Sequence, residues 1–255
     1  VEINSIDYSK TSLQPGTNAK LAFSFTTDEY VPIEKQTPLF FNKAESLRKQ
    51  LKELNIDQIH DLMKISFKQS SLIYDYFHNE ENFAALNLFD GVVFKQLDLK
   101  NYQKEQWDYL QEHLLINSPL YGILRYNDAV SYHRLEIKHK LNDLNLYTYW
   151  QNEINTYLKN EDVILSLSTK EYEKMISHKM IQLDFVIRSG HTFKRNAVYL
   201  KKARGRMLNY LIEHCVEDIE KIKEIVFDDY HFSENDSNDD HWVFIKDEKM
   251  KYIKK

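Results

Sequence analysis

Between Asp184 and Glu213 the chain carries no acidic residue but seven cations: Arg188, Lys194, Arg195, Lys201, Lys202, Arg204 and Arg206. The stretch AVYLKKARGRMLNYLIEH, Ala197 to His214, has helical spacing, with Leu208, Leu211, Ile212 and Cys215 on its core face. A strand ending near Leu200 makes Lys201 the start of that helix. Its cations then sit at the positive end of the helix dipole, where they are least favourable. A bound anion resolves the conflict, because strand-to-helix junctions present backbone N–H groups that bind phosphate or carboxylate. Gly205 would let a ligand or another backbone approach. The alternative is a solvated basic first turn, at a cost of about a few tenths of a kcal/mol per charge.

Arginine usage points the same way. Of 34 basic residues only 7 are Arg, and five of these are Arg125, Arg134, Arg195, Arg204 and Arg206. The guanidinium fork grips phosphate or carboxylate through two parallel bonds, which Lys cannot do. Structural ion pairs are the competing use. In YHRLE, Arg134 and Glu136 share one face if the segment is a strand. They are either an ion pair or a substrate-gripping cation beside a general base, Glu136. No dinucleotide fingerprint and no P-loop is present, and five glycines would not build one. A single cysteine and dispersed histidines argue against zinc. Cys215 reads as an inert core thiol without a resolving partner. No metal and no cofactor is expected, and the acidic loop Glu234 to Asp240 reads as solvated.

The net charge is −5, yet without the seven cations of that window the rest carries 27 basic against 39 acidic residues. Such segregation is a binding signal. With 42% hydrophobic residues the chain can bury a core, and 5 Gly with 4 Pro argue against an all-β sandwich. The N-terminal residues lack a signal-type apolar run, and no stretch reaches the ~18 apolar residues of a membrane span. A cytoplasmic protein is expected.

Helices are predicted over 42–54 and 58–67, the second capped by Asp57, forming an N-terminal helical hairpin, with others over 70–78, 102–114 and 146–160. Strands are predicted at 91–94, 162–168, 180–188, 191–200, 224–232 and 241–247. The fold class is α/β: one domain over 1–255 with a mixed sheet flanked by helices and a basic cleft, residues 1–37 being irregular.

The motifs FDGVVF (89–94), SPLYGILRYNDAVSYHRLE (118–136), LYTYW (146–150), LSLSTKEYEK (165–174) and KKARGRM (201–207) occur in that order. Together they resemble the YaaA family of bacterial peroxide-stress proteins, from about Pro38 to the C-terminus. The resemblance implies a cytosolic role in the peroxide response, linked to limiting free iron. It also implies an unusual α/β fold with a positive cleft, a helix-hairpin-helix element and DNA binding. Carried over by position, the cleft holds Lys201, Lys202 and Arg204, with Arg125 and Arg134 on its walls. The family's Ser-Pro-Ala-Lys-like turn is matched in PGTNAK by Ala19 and Lys20. The hairpin turn LNIDQI has no Gly and places Asp57 where it repels phosphate, so this hairpin reads as packing.

The expectation is a binding protein that holds double-stranded DNA or another phosphate polyanion at Lys194, Arg195, Lys201, Lys202, Arg204, Arg206, Arg125, Arg134 and Lys20. The alternative is an enzyme acting on a small phosphorylated or nucleotide-like substrate in the same cleft, with Glu136 as acid or base.

Overall fold

The computed structural model describes residues 2–5, 31–190 and 192–248. Eight strands form the main sheet: β1 (Glu2–Ser5), β2 (Leu114–Ser118), β3 (Gly122–Leu124), β4 (Ile164–Ser166), β5 (Met180–Ser189), β6 (Thr192–Lys194), β7 (His231–Phe232) and β8 (His241–Asp247). Their order is β7-β8-β5-β4-β1-β2-β3, with β6 paired to β5. The five inner strands β8, β5, β4, β1 and β2 are parallel. β3, β6 and β7 add antiparallel pairs. The sheet is therefore mixed, as expected.

β1 was not foreseen. It lies at the centre of the sheet, pairing Ile3 with Leu114 on one side and with Leu165 on the other. The pairing partners explain it: β2 and β4 are apolar runs buried along their whole length, LLINS and ILS, and a parallel sheet covered on both faces needs such strands side by side.

The described residues include six longer helices: α1 (Phe41–Lys52), α2 (Ile56–Met63), α3 (Phe67–His78), α4 (Lys104–His113), α5 (Leu146–Leu158) and α6 (Ala197–Glu213). α5 buries Leu146, Trp150, Ile154 and Leu158, a four-residue spacing that follows from 3.6 residues per turn. Trp150 is fully buried and its indole N–H donates to Pro119 O at 2.9 Å. Gly122 makes this possible: it has φ +76°, and a Cβ there would lie 2.8 Å from the Trp150 ring.

The helical hairpin takes a different form from the one predicted. α2 starts at Ile56, capped by Asn55 rather than Asp57, through a reciprocal pair of bonds between Asn55 and Gln58. Asp57 lies inside the first turn, where the dipole favours it. The extensive helix contact is α2 with α3, and α1 also packs on α3. Three other segments differ. Residues 91–94 form a turn leading into a 3-10 helix (Phe94–Gln96), not a strand. YHRLE is irregular rather than a strand. β6 ends at Lys194, and α6 begins three residues later.

Candidate functional site

The carboxyl ends of β2 and β4 carry polar side chains that the core encloses. Asn117, Ser118 and Ser166 are 0% exposed and Ser168 is 1%. The Asn117 amide donates to Ser168 Oγ at 3.1 Å, and the Ser166 hydroxyl donates to Glu173 Oε1 at 2.7 Å. Ser166 Oγ also accepts the Ser168 N–H at 3.2 Å. Burial pushes the Glu173 carboxyl up from its ordinary range, opposed by the Ser166 hydroxyl and by the charge of Arg204. Arg204 reaches this cluster from α6 and is 8% exposed. Asn117 Oδ1 is buried without a hydrogen-bond partner among the described residues. Open α/β sheets bind ligands at this end of their parallel strands.

Arg204, expected on the wall of a basic cleft, is instead a buried neighbour of Glu173; Asn117, Ser166, Ser168 and Glu173 were not singled out from the sequence. The signal was present as polar residues interrupting the apolar runs LLINS and ILSLS.

The α6 cations are arranged otherwise than the opening conflict required. The helix starts at Ala197, so Lys201 and Lys202 stand in its second turn, beyond the strong part of the dipole. The helix end offers little to an anion, because Asn196 already occupies it. Its Oδ1 accepts the N–H groups of Val198 and Tyr199 at 2.9 and 3.2 Å, and its carbonyl accepts that of Leu200. Gly205 admits a backbone, not a ligand: a Cβ there would lie 2.4 Å from Val93 O.

Most of the other cations hold carboxylates. Arg188 grips Asp247 through two bonds of 2.7 and 3.0 Å. Lys194 meets Glu248 at 2.8 Å, Arg195 meets Asp184 at 2.8 Å, and Arg206 pairs with Asp228. Arg125 is bound to buried Asp128 at 2.8 Å and to Thr37 O at 2.8 Å. It follows β3, four strands from the β5–β6 pair, so sheet position does not bring it to the cations of the β6 arm. Glu136 pairs with Lys138 at 2.8 Å, not with Arg134. Arg134 is half-buried; burial lowers the His139 imidazole from its ordinary value, opposed by Glu136, with Lys138 and Arg134 adding to the lowering. Lys201, Lys202 and Arg134 have no ion-pair partner among the described residues. Lys20 lies outside the described residues.

Beside the polar cluster, His133 Nδ1–H donates to Ser131 O at 2.9 Å. Because a carbonyl only accepts, this fixes the tautomer and leaves Nε2 to accept from the Ser118 hydroxyl at 3.4 Å. Tyr121 and Phe89 flank the ring. Burial pulls its pKa down to about 4, with Arg48 adding to the effect and the Ser131 bond opposing it. A depressed His value contributes stability above the ordinary titration range that is lost as pH falls toward 4. Wild type should lose about 2 kcal/mol more than His133→Gln between pH 7 and pH 4.5 in urea unfolding. An equal loss in both would contradict the depressed His133 value.

Cys215 lies just past α6 in the left-handed region, φ 45°, half-buried, not on the helix's core face. Burial and the nearby Glu105 and Glu217 push its thiol up, which makes it a poor nucleophile. Among the described residues no group of three His, Cys, Asp or Glu is placed to hold a metal ion, and no helix is long and apolar enough to cross a membrane.

Fold and site together define a mixed α/β protein with a buried polar cluster at the carboxyl ends of two of its parallel strands, to which Arg204 of α6 comes close. The sequence matches the profile of the family described as peroxide stress protein YaaA over residues 13–236, and the chain belongs to that family. It is 31% identical over 224 residues to a UPF0246 protein of Fusobacterium nucleatum, covering 84% of this chain and 90% of that one. It is 33% identical to a UPF0246 protein of Finegoldia magna (82% and 88% covered). A UPF0246 protein of Clostridium perfringens is 35% identical to it (84% and 92% covered).

Proposed function

We propose that this chain acts in the peroxide-stress response by holding a phosphate polyanion, double-stranded DNA first among them, against α6, and so helps limit iron-dependent oxidative damage. The observation that carries the reading is the contrast between Lys201 and Lys202 and their neighbours. Arg188, Lys194, Arg195 and Arg206 are each bound to a carboxylate, whereas these two lysines have none among the described residues. Cations without a carboxylate are the ones available to displace counterions from phosphate. Arg134 is a third such group.

Anisotropy titration with a labelled duplex at several salt concentrations tests the proposal. Affinity should fall steeply with salt. Lys201→Glu/Lys202→Glu should weaken binding by about tenfold or more and lower the log–log salt slope by about 2. Unchanged affinity in the double variant overturns it.

The buried cluster of Asn117, Ser166, Ser168, Glu173 and Arg204 favours a second reading, an enzyme acting on a small phosphorylated or nucleotide-like substrate at the strand ends. A nucleotide that raises the thermal midpoint at saturating concentration supports it, and Glu173→Gln should abolish any turnover.

A further inference from the structure

Seven large apolar side chains are exposed among the described residues, and three of them, Phe193, Val198 and Tyr199, fall within the seven residues 193–199. Isolated exposed apolar residues are ordinary; a cluster is not. Phe193 is 42% exposed on β6, and Tyr199 is 56% exposed in the first turn of α6. Neither ring meets another ring or a cation among the described residues, whereas exposed Phe67 stacks on His60 at 4.2 Å. Lys194 and Arg195 lie between the two rings in sequence, and Lys201 and Lys202 follow directly. No acid occurs in the chain from residue 185 to residue 212. Lys194 and Arg195 are neutralised by Glu248 and Asp184, so among the described residues the unpaired positive charge of this segment lies on α6, where Lys202 stands three residues after Tyr199 and on the same side of the helix.

We propose that this patch is a stacking platform for unpaired bases: the β6–α6 corner binds a single strand of nucleic acid, its bases on Phe193 and Tyr199 and a phosphate on Lys202, the lysine that shares the face of Tyr199. The inference rests on the polyanion reading above and narrows it. A duplex keeps its bases stacked on one another and can use only the lysines. A single strand presents both groups that the patch complements, a π-face for each ring and a phosphate for Lys202. An anionic lipid surface would also meet lysines. Val198 and two rings held at the end of a strand and the start of a helix, however, give little apolar area to bury in it.

The test is an anisotropy comparison of the full chain with three labelled probes at one salt concentration: an oligothymidylate of about 20 nucleotides, longer than the ~4–16 nucleotides one such module covers, an abasic strand of the same length, and a duplex. The oligothymidylate is expected to bind about tenfold more tightly than the abasic strand. Phe193→Ala/Tyr199→Ala should erase that difference while leaving the abasic and duplex affinities unchanged. Both residues are exposed, so the variant keeps its fold. Equal affinity for all three probes overturns the stacking platform and leaves the polyanion reading standing. Binding of none of them overturns both. Capture by phosphatidylglycerol vesicles, reduced by the same double variant, with no preference for the oligothymidylate, assigns the patch to lipid and overturns the inference.

Discussion

Gly205→Ala is expected to destabilise the protein by about 2 kcal/mol, although the same change in an exposed helix interior stabilises by about 1 kcal/mol. The reversal has a local cause. α6 crosses the 91–96 segment so closely that an added Cβ would meet Val93 O at 2.4 Å and Gln96 Cγ at 2.7 Å. Gln96 Cβ, at 2.9 Å, is fixed by its own backbone, and Val93 O is backbone. It belongs to the turn that Gln96 N closes by bonding Val93 O at 3.0 Å. Relief therefore requires moving α6 itself, and with it Met207, Leu208, Leu211 and Ile212, all fully buried. Equilibrium urea unfolding of the purified variant reads the change directly. A stabilised variant with weakened polyanion binding would mean instead that Gly205 makes room for a ligand.

The same contact shows where sequence reading ends. Residues 91–94 look like a strand because Val92, Val93 and Phe94 are strand formers; the backbone turns there to meet a glycine more than a hundred residues away. α5, by contrast, is legible from Trp150, Ile154 and Leu158 alone, because helical periodicity is local. The α6 boundary was misplaced: the strand character of Val198 and Tyr199 put the helix start at Lys201, whereas Asn196 caps a helix that begins at Ala197. Arg204 stands four before Leu208 and seven before Leu211, so helical spacing itself places it on the buried face.

The ion pairs were not legible. Arg188 and Asp247 are 59 residues apart and become opposite partners only when β5 and β8 pair. Nor was the polar cluster: Asn117 and Ser168 are 51 apart and meet because β1 brings β2 and β4 to its two sides. Charge segregation in sequence thus became separate pairs in space for Arg188, Lys194, Arg195 and Arg206, and the binding argument narrows to Lys201, Lys202 and Arg134.

Arg125→Met should cost about 3 kcal/mol at pH 7, the largest single effect expected here, and should leave the pH dependence altered. Asp128 is 0% exposed. Its carboxylate accepts the Arg125 backbone N–H at 2.9 Å and Nε at 3.0 Å, while the other arm of the guanidinium donates to Thr37 O at 2.8 Å. Removing the side chain leaves a buried carboxylate with backbone donors only. Burial already pushes the Asp128 carboxyl up from its ordinary value, with Arg125 as the opposing charge. Without Arg125 it must rise further. An acid with a raised value in the folded state is protonated more readily there than in the unfolded chain, so stability is lost as pH rises through the folded value. The gap between wild type and variant should therefore be widest at pH 7 and narrow as pH falls toward 5. Arg125→Met/Asp128→Asn should recover most of the loss, because the uncompensated charge is gone. A residue held to grip an anion would behave differently. Its loss would lower affinity for duplex or nucleotide, leave the urea midpoint and its pH dependence unchanged, and gain nothing from Asp128→Asn. That result would return Arg125 to the binding surface.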